Sequence, residues 1–293
     1  MRFLFFLLFS LNLIAEDHRS KIVIIDAGYI TENIDLSTLC RGSSFYYKNS
    51  LDLEGYQMHI SNVIGSLLEN LDTENFCVYP ISTLNYGQLT AFSVQALYTA
   101  RSLTNVSGIN ISMVGYFNEK EIQHLKNEEE LILDISRKNI VMTFAAGNNH
   151  DIIESGNCYT YPICHLWNLG IHNNENLKVV TSIDNCGNLE PISNLFASQN
   201  LYGEDGFFNG ELGTSFSAPR LLGKIFSGNV LIKMKKINKK YLRSLSREDF
   251  YSGDIKYSYF DDFSEDSCLN KRSYTRTAFP NYDLFFNPIP INI

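Results

Sequence analysis

A chain of 293 residues, 44% of them hydrophobic, can bury a large core, as one α/β domain or at most two smaller ones. Its formal charge of −8, from 32 acidic and 24 basic side chains, argues against non-specific binding to nucleic acid. After the amino-terminal stretch no segment is long and apolar enough to be expected to span a membrane.

Residues 1–15 begin with the single charge of Arg2, run through the apolar stretch Phe3 to Phe9 and reach a small residue at Ala15. Ser10 and Asn12 keep the apolar run short of the roughly 20 residues that a spanning helix needs. The segment reads as a secretory signal peptide, which places the mature chain outside the cell or in a periplasm. Six cysteines follow: Cys40, Cys77, Cys158, Cys164, Cys186 and Cys268. An even number in an exported chain permits disulfides, with Cys158 and Cys164 the expected local pair. No CxxC pair or Cys/His spacing suited to zinc occurs, so no metal site is expected.

Lys21-Ile22-Val23-Ile24-Ile25 is a continuous β-branched run, as in a parallel strand covered on both faces. It ends in Asp26-Ala27-Gly28, a carboxylate at the carboxyl end of a strand, where open α/β sheets place their sites. Residues 29–54 read mainly as loop. Ile60, Val63, Ile64, Leu67 and Leu68 then fall on one face of a helix, with His59 at its amino-terminal edge, just off the apolar stripe. Phe76 to Tyr79 reads as a strand, Leu89 to Arg101 as a helix, and Gly108 to Met113 as a strand opening into Val114-Gly115. Asn118 to Arg137 has helical spacing, and Ile140 to Phe144 is a strand ending in Ala145-Ala146-Gly147-Asn148. Leu177 to Ile183 is a further strand. Such alternation predicts a mostly parallel central sheet with helices on both faces, a three-layer α/β sandwich.

Gly213-Thr214-Ser215-Phe216-Ser217-Ala218-Pro219 reads as a glycine-led turn into a helix, with the proline in the first turn. A serine at the mouth of such a helix feels the positive end of the peptide dipoles. The tail, 229–293, changes character: a basic segment with Lys233, Lys235, Lys236, Lys239 and Lys240, then Tyr, Asp and Ser-rich residues. The short lysine run reads as a solvated helix face.

Asp26, His59 and Ser215 occur in the chain order of one of the known serine-nucleophile triads. With the motifs around them, the chain resembles the subtilisin-like serine peptidase family. Ile24-Ile25-Asp26-Ala27-Gly28 is similar to the family's strand ending Asp-Ser/Thr-Gly. His59-Ile60-Ser61-Asn62-Val63-Ile64-Gly65 resembles its His-Gly-Thr-His-Val-Ala-Gly. Gly213 to Pro219 resembles its Gly-Thr-Ser-Met-Ala-Ser/Ala-Pro. Ala145-Ala146-Gly147-Asn148 resembles the segment with the oxyanion-hole asparagine. The likeness spans Lys21 to Phe226.

With residues 1–15 read as the signal peptide, the resemblance implies a catalytic domain over 16–228, followed by a C-terminal segment over 229–293 that completes or extends it. It implies a secreted endopeptidase in which Ser215 is the nucleophile, His59 its base, Asp26 the imidazole's partner and Asn148 an oxyanion donor. Ser112, Met113, Val114 and Gly115 would form one wall of the substrate pocket, and Ala145, Ala146 and Gly147 the other. Polypeptides are the expected substrates, and the chemistry requires no cofactor. Family members often bind structural calcium, but no compact carboxylate loop stands out here.

Three departures bear on this reading. Ile60 stands where the family has glycine, Asn62 replaces the motif's second histidine, and Val114 replaces a small residue of the pocket wall. About 20 residues precede the Asp strand, so a large propeptide is not expected, and folding would proceed unaided or with a helper or inhibitor acting in trans. The alternative is a catalytically impaired relative that binds peptides or proteins.

Overall fold

The structure, a computed structural model, describes residues 17–228 except for 54, 84–88, 114, 117–125, 149–151, 154–159, 162–165, 167–173, 185–188, 191–192 and 197–200. Residues 1–15, read above as a signal peptide, the tail from 229, Val114, and Cys158, Cys164, Cys186 and Cys268 lie outside the described residues.

Six strands form the central sheet: β1 (Ser20–Asp26), β2 (Phe76–Ser82), β3 (Val106–Ile111), β4 (Val141–Ala145), β5 (Leu177–Ile183) and β6 (Leu201–Asp205). Their order is β6-β5-β4-β3-β1-β2, and every pairing is parallel. Strand order reverses at β1/β3, since β2 follows β1 on one side and the later strands extend from β3 on the other. The carboxyl ends of these two strands are therefore where this topology opens a crevice.

Among the described residues four helices pack on the sheet: α1 (His59–Leu68), α2 (Leu89–Ser102), α3 (Lys126–Arg137) and α4 (Thr214–Phe226). The period of two along β1 divides the core. Val23 and Ile25 join Leu97 and Ala100 of α2 and Ile132 and Ile135 of α3 on one face. Ile22 and Ile24 join Ile60, Val63, Ile64 and Leu67 of α1 and Phe216 and Leu222 of α4 on the other. Both faces of β1 are thus covered, which is why its sequence is apolar without alternation. The fold is an α/β sandwich with a parallel central sheet and helices on both faces, the layering expected from the alternation of elements.

Two details were not evident from the sequence. β6, Leu-Tyr-Gly-Glu-Asp, lies at the sheet edge, where few apolar side chains are needed. β2 runs on through Pro80 to Ser82, and it too is an edge strand, where a missing N–H is tolerated. Beside β2, a disulfide joins Cys40 to Cys77 and the Cys40 N–H donates to the Val78 carbonyl at 2.9 Å.

Candidate active site

Asp26 closes β1 with its side chain buried, and its Oδ1 accepts the Ala27 N–H at 2.6 Å. Gly28 then turns the chain at φ +120°, and a Cβ there would lie 2.6 Å from the Gln57 carbonyl oxygen. Only glycine permits that approach. Through it the Tyr29 N–H reaches Gln57 O at 2.8 Å and the Ile60 N–H reaches Ala27 O at 2.9 Å. These bonds dock the start of α1 on the end of β1 and bring His59 Nδ1 to 2.9 Å from Asp26 Oδ1. A carboxylate has no proton to give, so Nδ1 carries the hydrogen and Nε2 keeps its lone pair. Asp26 Oδ2 is buried without a hydrogen-bond partner among the described residues, and Ala27 supplies no hydroxyl to it.

The imidazole is 26% exposed and lies 5.7 Å, centroid to centroid, from the Phe216 ring. Burial disfavours its charged form. The Asp26 charge, its hydrogen bond and the more distant Glu211 charge together outweigh that penalty and raise its pKa above 6.5. Ile60, the branched residue next in sequence, is 1% exposed and turned into the apolar layer beneath α1. It leaves the Asp26–His59 hydrogen bond intact.

Ser215 sits in the first turn of α4, 9% exposed, after an extended Gly213. Its hydroxyl donates to the Ser112 carbonyl at 3.1 Å, and the Ser112 hydroxyl donates back to the Ser215 carbonyl at 2.8 Å. Among the described residues no hydrogen bond joins Ser215 Oγ to His59. A buried chain continues behind Ser112: Asn110 Nδ2 donates to its Oγ at 2.8 Å, and Thr143 Oγ1 donates to Asn110 Oδ1 at 3.0 Å.

Asn148, beyond the end of β4, is oriented by its neighbours. Its Oδ1 accepts the Thr214 N–H and the Thr214 hydroxyl, each at 3.0 Å, and Thr214 Oγ1 in turn accepts the Gly147 N–H at 3.0 Å. With Oδ1 occupied, the Nδ2 donor is the end left toward Gly213 and Ser215; a Cβ on Gly213 would lie 3.2 Å from it. Thr214, which sequence reasoning did not single out, thus fixes the flip of the amide. The signal was in the motif, as the residue just before the serine.

The expected pocket residues divide. Ser112 and Gly147 bond directly to Ser215 and Thr214. Met113 and Ala146 pack against the α2/α3 core, and Ala145 joins a cluster with Val180, Ala218 and Leu221. Gly115 opens a short antiparallel pairing with Tyr161. Among the described residues no group of three or more His, Cys, Asp or Glu could hold a metal ion, and no helix is long and apolar enough to cross a membrane.

No protein-family model matches the sequence, and no curated protein is significantly similar to it. Solved structures share its architecture. A lanthipeptide protease matches with a TM-score of 0.54 and 14% identity, over 83% of this chain and 81% of its own. The epidermin leader peptide processing serine protease of Staphylococcus aureus matches at 0.50 and 16%, over 74% and 67%. A cold adapted subtilisin-like serine proteinase gives 0.47 and 15%, over 81% and 82%. The first two show that this chain shares the fold of those proteases.

Proposed function

We propose that this chain is a serine endopeptidase that hydrolyses polypeptides through Asp26, His59 and Ser215, with Asn148 as an oxyanion donor. The observation that carries the reading is the buried Asp26 carboxylate held 2.9 Å from His59 Nδ1 beside a serine at a helix amino terminus. His59 Nε2 removes the Ser215 proton as Oγ attacks the scissile carbonyl, and Asp26 stabilises the imidazolium that forms. The carbonyl oxygen becomes an oxyanion. In this reading the Asn148 Nδ2–H and the Ser215 backbone N–H, at the positive end of α4, receive it. His59 then delivers its proton to the leaving nitrogen, and water repeats the sequence in reverse to free the acyl group.

The Ser215 hydroxyl bonded to Ser112 is the observation that favours a binding module without catalysis. Serine rotamers exchange readily, however, and catalytic hydrogen bonds often align only when substrate arrives. The intact Asp26–His59 contact beside the buried Ile60 favours the enzyme. Export is part of the proposal, supported by residues 1–15 and by the Cys40–Cys77 disulfide, a bond of oxidising compartments.

The test is reaction of the mature protein with a fluorophosphonate probe. Labelling is expected, and it should disappear in Ser215→Ala. A folded wild-type protein that takes no label would refute the enzyme and leave the binding module.

A further inference from the structure

Between β6 and α4 the chain forms a hairpin, Phe207–Phe208 paired with Glu211–Leu212, turning through Asn209 and Gly210 at φ 49° and 83°. The hairpin is anchored at several points. The Phe208 ring lies over Gly65 of α1, where any Cβ would meet it, and 6.0 Å from the Phe216 ring. Arg220 donates to the Phe207 carbonyl at 3.2 Å, and the Gly213 N–H donates to Gly206 O at 2.9 Å. Asn62 binds the hairpin from α1: its Nδ2 donates to Glu211 Oε2 at 3.4 Å, and its Oδ1 accepts from Asn209 Nδ2 at 3.3 Å.

Asn62 is three residues beyond His59, so the two share a helix face one turn apart. The Glu211 carboxylate is therefore held on the His59 side of the cleft, close enough for its charge to act on the imidazole. It is exposed, and among the described residues no Lys or Arg forms an ion pair with it. Along the rim of the sheet the order is Asn148 after β4, Ser112 and Ser215 at the end of β3, then Asp26 and His59 at β1. The scissile carbonyl oxygen belongs at the Asn148 end and the leaving nitrogen at His59, which must protonate it. In the peptidase reading, a peptide lying in this sense would carry the side chains that follow that nitrogen toward the hairpin, which Asn62 joins one helical turn from His59.

We propose that Glu211, tethered by Asn62, makes the leaving-group side of the cleft a subsite for a cationic side chain, Lys or Arg, in the first residues after the cut bond. The inference rests on the peptidase reading. An anchored carboxylate keeps its position when substrate arrives, so recognition costs little ordering of the enzyme side chain. The preference is electrostatic and weakens with salt.

The test is digestion of denatured casein by the mature protein and by Glu211→Gln and Glu211→Lys, with every cut mapped by mass spectrometry. In the wild type, Lys and Arg are expected after the cut about two- to fivefold above their background frequency, the scale of an exposed ion pair. The enrichment should vanish in Glu211→Gln, give way to Asp and Glu in Glu211→Lys, and fade for the wild type in 1 M salt. Cuts distributed identically in the wild type and Glu211→Gln would overturn the inference while leaving the peptidase reading intact. No cuts and no fluorophosphonate label in the wild type would be the failure of the peptidase reading, and the inference would fall with it.

Discussion

The two faces of the sheet are built differently. Against α2 and α3 the packing is almost wholly aliphatic, from Val23, Ile25, Leu97, Ile109, Ile111, Ile132, Ile135 and Met142, with Glu128 and Ser136 the buried polar residues on α3. Against α1 and α4 the aliphatic layer is crossed by polar pins. Ser66 Oγ donates to the Phe216 carbonyl at 2.7 Å, Arg220 Nε donates to Glu69 Oε2 at 2.8 Å, and Asn110 and Thr143 link to Ser112. Burial of apolar area stabilises without direction, whereas a buried hydrogen bond fixes a distance and an angle. One face has only to be stable; the other must hold His59 of α1 and Ser215 of α4 in register with β1 and β3.

Substitutions can break that division, and the largest expected effect is on the pinned face. His59→Ala should lower peptide hydrolysis by about 10⁴-fold or more with the unfolding midpoint little changed, as measured by rate and by urea titration. Asn148→Ala should lower kcat by about 10²–10³-fold with KM nearly constant; a change confined to KM would remove it from the oxyanion hole. On the opposite face Leu97→Ala should cost about 2–5 kcal/mol of unfolding free energy while kcat below the transition stays at the wild-type value. If kcat fell with it, the faces would not be functionally separate. Ser66→Ala should cost about 1 kcal/mol and yet reduce kcat, because the Phe216 it holds is next to Ser215.

A pH series sharpens the same contrast. In the proposed mechanism His59 must be neutral to act as base, and its pKa is raised from 6.5, so activity should rise with pH through an inflection above that value. Stability runs the other way. A histidine whose pKa is raised on folding contributes fully below its unfolded value near 6.5, and the contribution is lost as pH climbs through the folded pKa. An activity inflection at or below 6.5 would contradict the electrostatic picture, and Glu211→Gln should move the inflection down.

Much of this molecule was legible in the sequence because apolar periodicity and motif position carry it. Lys21 to Ile25 marked β1 through its unbroken β-branched run, and Leu177 to Ile183 marked β5 to the residue. Asp26, His59 and Ser215 were legible because each sits where a strand or helix changes to another element. What escaped depends on contacts distant in sequence. β6 carries too few apolar residues to show a pattern. Glu211 looks like any surface glutamate until the hairpin folds onto α1 and Asn62 receives it 149 residues away. The Cys40–Cys77 bridge could not be told from the other pairings, because only the docking of residue 39 on β2 brings the two together. Ile60, a departure from the motif's glycine, is a core residue packed in the apolar layer beneath α1, a placement the motif alone does not reveal.

The disulfide also bears on what happens when the chain meets a reducing environment. β2 is an outer strand, and the backbone of residues 39–40 covers part of its free side, Leu39 bridging to Val78 and the Cys40 N–H bonding to Val78 O. Cutting the Cys40–Cys77 link would let that cover lift away and bare carbonyl and amide groups ready to pair with any extended chain. Protein retained in a thiol-rich compartment should then self-associate through this border, whereas oxidised protein stays monodisperse.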